Sequence, residues 1–234
     1  MSSPLIISSG FDREAFGVPF YRVTDPTGAS LEEEIAALRC PPVIIDAKVA
    51  SNDRAAGHRL ILAGFQKICM QITLACKPSD SNACVPADVE IVPVYPMHAD
   101  ILAAHARNFR YDRFGLDPRI SPEGSKRLYA AWLANSLAGR NGKTTAHLGD
   151  NVCTFACQGK ELVIDLMSVL DHGKGIGTAL MKAILCFAGE KGMNRVRVTT
   201  ECENVPAWKL YQKCGCVPIS YTSVFHLVEG AQPY

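Results

Sequence analysis

Residues 162–190, LVIDLMSVLDHGKGIGTALMKAILCFAGE, join an apolar run to a glycine-rich turn and then to a helical pattern. Leu162–Val169 predicts a strand, and Gly175–Glu190 a helix. Between them lie His172, Gly173, Lys174, Gly175, Ile176, Gly177 and Thr178. Glycines remove Cβ atoms and let several backbone N–H groups converge on one hollow. The positive end of the following helix faces the same hollow, which makes an anion site suited to a phosphate or diphosphate. Lys174 would add a full charge. The pattern is not a GxxxxGK[ST] loop, and no acidic residue follows at the distance a dinucleotide fingerprint requires. Standing alone, it also reads as a plain glycine-rich turn.

The elements that must position this loop fall into two blocks. In the first, strands are expected at Val18–Val23, Val43–Val49 and Lys67–Cys76, with helices at Leu31–Arg39 and Ala55–Leu62. Lys77–Pro86 is rich in Pro, Ser, Asn and Asp and reads as a linker. In the second block, strands are expected at Val89–Val94, Thr144–Leu148, Asn151–Cys157, Glu161–Val169, Arg195–Thr200 and Ile219–Leu227. Helices are expected there at Ala99–Arg107, Ser125–Ala138, Gly175–Glu190 and Val205–Lys213, with Ser125 capping the second and Gly139 ending it. The fold class is α/β, with an N-terminal accessory domain at 1–78 and a larger domain at 88–234.

A chain of 234 residues can bury a sizeable core without disulfides or a structural metal. Its formal charge of +1 argues against a nucleic-acid binder. No run approaches a membrane span, and the N-terminus lacks the cationic region of a secretory signal, so a cytoplasmic location is expected. Ten cysteines, many in apolar segments, are expected to be buried reduced thiols. None forms a CxxC, and no metal site is expected, although zinc or a disulfide remains the alternative.

HGKGIGTALM resembles motif A of the GNAT acyltransferases, R/Q-x-x-G-x-G/A, with His172 where Arg or Gln is usual and Gly175 and Gly177 at the glycine positions. Downstream, NVPAWKLYQKCG at 204–215 is similar to that family's N-x-x-A-x-x-L-Y-x-x-x-G. The resemblance implies a mixed, mostly antiparallel sheet flanked by helices, with acetyl-CoA as cosubstrate and an amine as acceptor. It implies that the 172–178 loop and Asn204 contact the cofactor, together with Leu166, Met167 and Val169 on the fourth strand of that domain. One of those strand residues would polarise the thioester through a backbone N–H. It makes Tyr211 the acid for the departing thiolate, since a phenol and a thiol have nearby pKa values; alone, Tyr211 also reads as a core aromatic, and Asn204 as a helix cap. For the amine's proton, His105, Asp112, His147 and Asp165 are candidates that the sequence does not rank.

A narrower likeness covers almost the whole chain. FDREAFGVPFYRV, DAKVASND, FRYDRFGLDPRI and LYAAWLANS are similar to the dTDP-fucosamine acetyltransferases, which acetylate a nucleotide-linked deoxyamino sugar. That likeness suggests a homodimer and an acceptor site around residues 109–119. There Arg110, Arg113 and Arg119 could bind a diphosphate, and Phe109, Tyr111 and Phe114 could stack on a sugar or base. Packing of these aromatics under the loop is the other reading. Tyr129 and Trp132 share a helix face and read as core. Another amine or a protein N-terminus as acceptor stays open, as does a non-catalytic module that senses acyl-CoA.

Overall fold

Burial alternates residue by residue along Glu161–Ser168, the signature of a strand with a different layer on each side. A computed structural model describes residues 4–79, 86 and 88–230. Its first half comprises β1 (Ile6–Ser8), α1 (Gly10–Phe16), β2 (Phe20–Val23), α2 (Leu31–Leu38), β3 (Val43–Ala50), α3 (Arg54–Leu62) and β4 (Gln66–Cys76). The second half comprises β5 (Glu90–Val92), α4 (Ala99–Asn108), α5 (Pro122–Leu137), β6 (Thr144–Leu148), β7 (Asn151–Gln158), β8 (Glu161–Ser168), α6 (Ile176–Glu190), β9 (Arg195–Glu201), α7 (Val205–Lys213) and β10 (Val217–Glu229). Residues 80–85 of the expected linker, Cys84 among them, lie outside the described residues.

All the strands form one ten-stranded sheet, ordered β1-β2-β3-β10-β4-β9-β8-β7-β6-β5. It is mixed and mostly antiparallel, as expected; among the described residues only β2–β3 and β8–β9 are parallel pairs. Strand β4, from the first block, lies between β9 and β10 and is antiparallel to both. The sheet therefore runs through both blocks. On one face Leu74, Val196 and Val198 pack with Leu180, Ile184 and Tyr211 beneath α6 and α7. On the other, Phe16, Phe114, Leu128 and Leu133 form the core under α1 and α5.

Local chemistry explains most element ends. Helix α5 begins one turn before the expected Ser125, because Pro122 is well suited to a first turn and the Ser121 hydroxyl accepts from Gly124 N at 3.3 Å. The cap is thus Ser121. Ser125 lies within the helix, and its hydroxyl donates to Asp112. Asp53 caps α3 in the same manner, accepting from Ala56 N at 3.0 Å.

Strands β8 and β9 pair over just three positions, Glu161↔Arg195, Leu162↔Val196 and Val163↔Arg197. Beyond Val163 they part, β8 staying with β7 and β9 with β4. A bulge on β8 at Asp165, opposite Thr154 and Phe155, accompanies the parting. The sheet is split there, with backbone groups of both strands facing the gap.

Candidate active site

The glycine loop closes the open end of this split. Gly173 and Gly175 have φ of +79° and +78°, a left-handed backbone that L side chains resist. Gly175 is the N-cap of α6 and has no side chain with which to cap it. The first N–H groups of the helix, from Ile176, Gly177 and Thr178, are consequently free of intrahelical acceptors and turned outward. Gly177 is needed for another reason: a Cβ there would lie 2.9 Å from Leu210 Cδ2, so its absence lets α6 approach α7. The loop is anchored from behind. Asn151 Oδ1 accepts from Leu170 N at 2.8 Å, and Asn108 Nδ2 donates to Val169 O at 2.8 Å. His172 and Lys174 are exposed, and Lys174 Nζ lies 2.7 Å from Asp171 Oδ1.

Leu166 and Met167 lie on the parted stretch of β8, with Leu166 in the α5-side core and Met167 packed on the α6-side core. Tyr211, on α7, is buried in the α6-side core, and its hydroxyl has no hydrogen bond to a described residue. Burial pushes its phenol well above the ordinary value, so it keeps its proton throughout the neutral range. Asn204 acts as a cap: its Oδ1 accepts from Ala207 N at 3.3 Å, while its Nδ2 donates to Thr200 Oγ1 at 3.1 Å.

Glu201 escaped the sequence reading. It ends β9 at the mouth of the split, is 9% exposed, and accepts from Gln71 Nε2 at 3.0 Å. Burial raises its pKa, and the Gln71 bond and the Arg113 charge only partly offset this. In RVRVTTE, Glu201 shares its strand face with Arg195, Arg197 and Thr199, which are exposed or half-buried, so nothing in the sequence marks it as buried.

Three of the four candidate proton acceptors are held by hydrogen bonds or an ion pair. Asp165 accepts from Ser136 Oγ at 2.7 Å and Trp132 Nε1 at 3.1 Å, and lies 2.7 Å from Lys143 Nζ. His105 is buried between Ser168 Oγ at 2.7 Å and Asp150 O at 2.8 Å, and burial lowers its pKa. Asp112 accepts from the backbone of Phe114 and Gly115 and from Ser125. His147 lies tilted against Tyr95, ring centroids 4.2 Å apart, and its buried Nδ1 has no hydrogen bond to a described residue.

The 109–119 segment divides. Arg110 and Tyr111 are exposed. Phe114 is fully buried against Phe16, Phe20 and His226, so its ring has no face left for a ligand. Phe109 stacks on Tyr129, which stacks in turn on Trp132. Arg119 binds Asp117, and His226 Nδ1 lies 2.9 Å from the same carboxylate. Burial raises the Asp117 pKa, but these two partners outweigh it and hold the group well below the carboxylate range. Arg113 is buried beside Asp46, its Cζ 4.2 Å from the Phe114 ring centroid. Among the described residues there is no cluster of three metal-ligating side chains, and no helix is long and apolar enough to cross a membrane.

Residues 167–216, from the parted end of β8 through the glycine loop to the residues just past Tyr211, match the acetyltransferase (GNAT) family model. The dTDP-fucosamine acetyltransferase of Escherichia coli O6:H1 is 27% identical over 177 residues, covering 73% of this chain and 75% of that protein. In fold, the chain is similar to a GCN5-related N-acetyltransferase from Sphaerobacter thermophilus, with TM-score 0.56, 13% identity and coverage of 95% and 76%. It is also similar to a tandem GNAT protein from the clavulanic acid biosynthesis pathway, with TM-score 0.55, 12% identity and coverage of 100% and 86%.

Proposed function

We propose, from the premise that this chain is an acyltransferase carrying a GNAT acetyltransferase domain, that it acetylates the amino group of a nucleotide-linked deoxyamino sugar. The observation that carries the reading is the uncapped N-terminus of α6 at the open end of the β8–β9 split. Bare N–H groups and the helix dipole suit a diphosphate there, and Gly175 has no Cβ to obstruct it. The loop thus fits coenzyme A, whose acetyl thioester supplies the activated acyl group. A β8 backbone N–H near Leu166 or Met167, turned to the gap, stabilises the oxygen as the amine adds to the carbonyl. Glu201 at the mouth of the split takes the proton from the amine. Tyr211 gives its proton to the departing thiolate; burial makes the phenol a weaker acid, and it raises the proton affinity of a thiolate released beside it in the same sense. The nucleotide-sugar acceptor is supported by the likeness to dTDP-fucosamine acetyltransferase.

The test presents acetyl-CoA with a dTDP-linked 4-amino-4,6-dideoxy sugar, simple amines and peptides, and follows thiol release. The expected result is turnover of the nucleotide sugar, with Tyr211→Phe keeping coenzyme A affinity and losing about 10²-fold in kcat. Reaction with peptides alone overturns the acceptor, and an unchanged Tyr211→Phe rate removes the phenol from its role.

A further inference from the structure

Arg113 has five N–H donors on a side chain that is 7% exposed, yet its guanidinium makes no hydrogen bond to any described residue. Its Nε is 3.5 Å from Asp46 Oδ2, an ion pair without a hydrogen bond, and has no other partner. Asp46 Oδ1 is likewise buried and without a hydrogen bond. Buried polar groups are hydrogen-bonded in the great majority of cases, and a guanidinium left without hydrogen bonds beside a single carboxylate is costly. Asp46 and Arg113 line a cavity of about 180 Å³ whose other walls are Arg22, Val23 and Lys48. Arg22 gives one nitrogen to Asp12 but keeps a buried Nε with no partner. Burial and the neighbouring Arg113 push Lys48 down to about 8, although its side chain remains reachable by solvent. The shortage is of acceptors: three cations converge where few oxygens answer them.

The cavity lies on the same face of the sheet as Glu201. Lys48 of β3 is opposite Val224 of β10, which is opposite Cys69 of β4; on that same face Gln71 is opposite Glu201 of β9. Three strand spacings, roughly 14 Å, separate the strand of Lys48 from the strand of Glu201. That is about the reach of a hexose carrying a diphosphate.

We infer that this cavity binds the phosphate or diphosphate of the acceptor, with Arg113 as its buried anchor and Arg22 and Lys48 at its rim. The inference rests on the nucleotide-linked acceptor proposed above and names the groups that would recognise it. It moves the anion contact away from Arg119, which is committed to Asp117.

The test titrates inorganic pyrophosphate into protein already saturated with coenzyme A, so that the glycine loop is occupied. One equivalent is expected to bind, at least tenfold more weakly in Lys48→Gln and in Arg22→Gln. Lys48 is exposed, so Lys48→Gln is expected to fold where an Arg113 variant would be at risk; Arg22→Gln gives up the pair with buried Asp12, and unchanged coenzyme A affinity checks that it folds. Arg107→Gln removes the same charge from an exposed site on α4 and is expected to change nothing. No pyrophosphate binding, or binding unaltered in both rim variants, overturns the inference. Normal pyrophosphate binding without turnover of any nucleotide-linked amine overturns the acceptor reading instead, and leaves the cavity an anion site.

Discussion

The N-terminus of α6 and the cavity beside Arg113 both collect hydrogen-bond donors that the protein does not satisfy, but they are built in opposite ways. At α6 the donors are backbone N–H groups, consecutive in sequence and freed by glycines at 173 and 175. At the cavity they are side chains from β2, β3 and the segment after α4, brought together only by the order of strands in the sheet. The first site is exposed and cheap to form, because helix ends always leave orphan donors. The second requires a buried guanidinium, and burying a charge without full pairing is costly. A backbone site accepts any diphosphate, whereas a side-chain site can specify which molecule carries it.

The sharpest way to break this contrast is Gly175→Asp. A Cβ at 175 meets nothing within 4 Å, so the substitution fits sterically and its effect is electrostatic, with added strain from φ of +78°. A carboxylate about 4 Å from a bound phosphate costs about 4 kcal/mol at an effective dielectric of 20. Coenzyme A affinity measured by calorimetry is expected to fall more than 100-fold. Gly175→Ala carries only the backbone strain, about 1 kcal/mol, and is expected to lose about tenfold at most. An Asp variant that binds as well as the Ala variant would mean that no diphosphate sits at α6.

The same contrast explains what could be read from the chain. The glycine loop and the 204–215 segment are each contiguous, so the family likeness they carry was visible in residue order. Strand β6 and helix α7 lie where periodicity put them, at Thr144–Leu148 and Val205–Lys213. Elements held by tertiary contact were harder: β1 has three residues and α1 seven, too short for a period to emerge. Nothing local in QKICMQITLAC says that β4 inserts between β9 and β10. Glu201 and the Arg22–Lys48–Arg113 cavity depend on that insertion. Phe114 illustrates the converse, since an aromatic between an arginine and a glycine in a loop rich in charge looked like a stacking surface and proves to be core.

Glu201 probes the side-chain half of the comparison through pH. Burial raises its pKa, so the folded state holds this proton more tightly than the unfolded chain does. Its contribution to stability is therefore present below the unfolded pKa and is lost as pH rises towards the folded value. Activity runs the other way, because a proton acceptor must be ionised. The acid limb of kcat/KM is expected above the ordinary glutamate range, with Glu201→Gln losing about 10²-fold in rate together with that limb. The same variant is expected to be no less stable than the parent above neutral pH. A limb that survives in Glu201→Gln assigns the proton to another group.

The smallest expected effect separates the two kinds of site within one residue. Asn204 is a side chain that serves a backbone end, accepting from Ala207 N at the start of α7, while the family resemblance also implies contact with the cofactor. Asn204→Ala removes both the acceptor and the amide, and the lost cap is expected to cost about 1 kcal/mol of stability. Asn204→Asp keeps an oxygen for the cap and adds a charge that the helix N-terminus favours, so its stability is expected to stay within a few tenths of a kcal/mol. Neither variant keeps the Nδ2 donor now given to Thr200 Oγ1. A cofactor contact through that amide lowers coenzyme A affinity in both variants, whereas loss of the cap alone lowers stability in Ala only. The expected outcome is weakened binding in both with destabilisation confined to Ala; Asp binding coenzyme A as the parent does would reduce Asn204 to a cap.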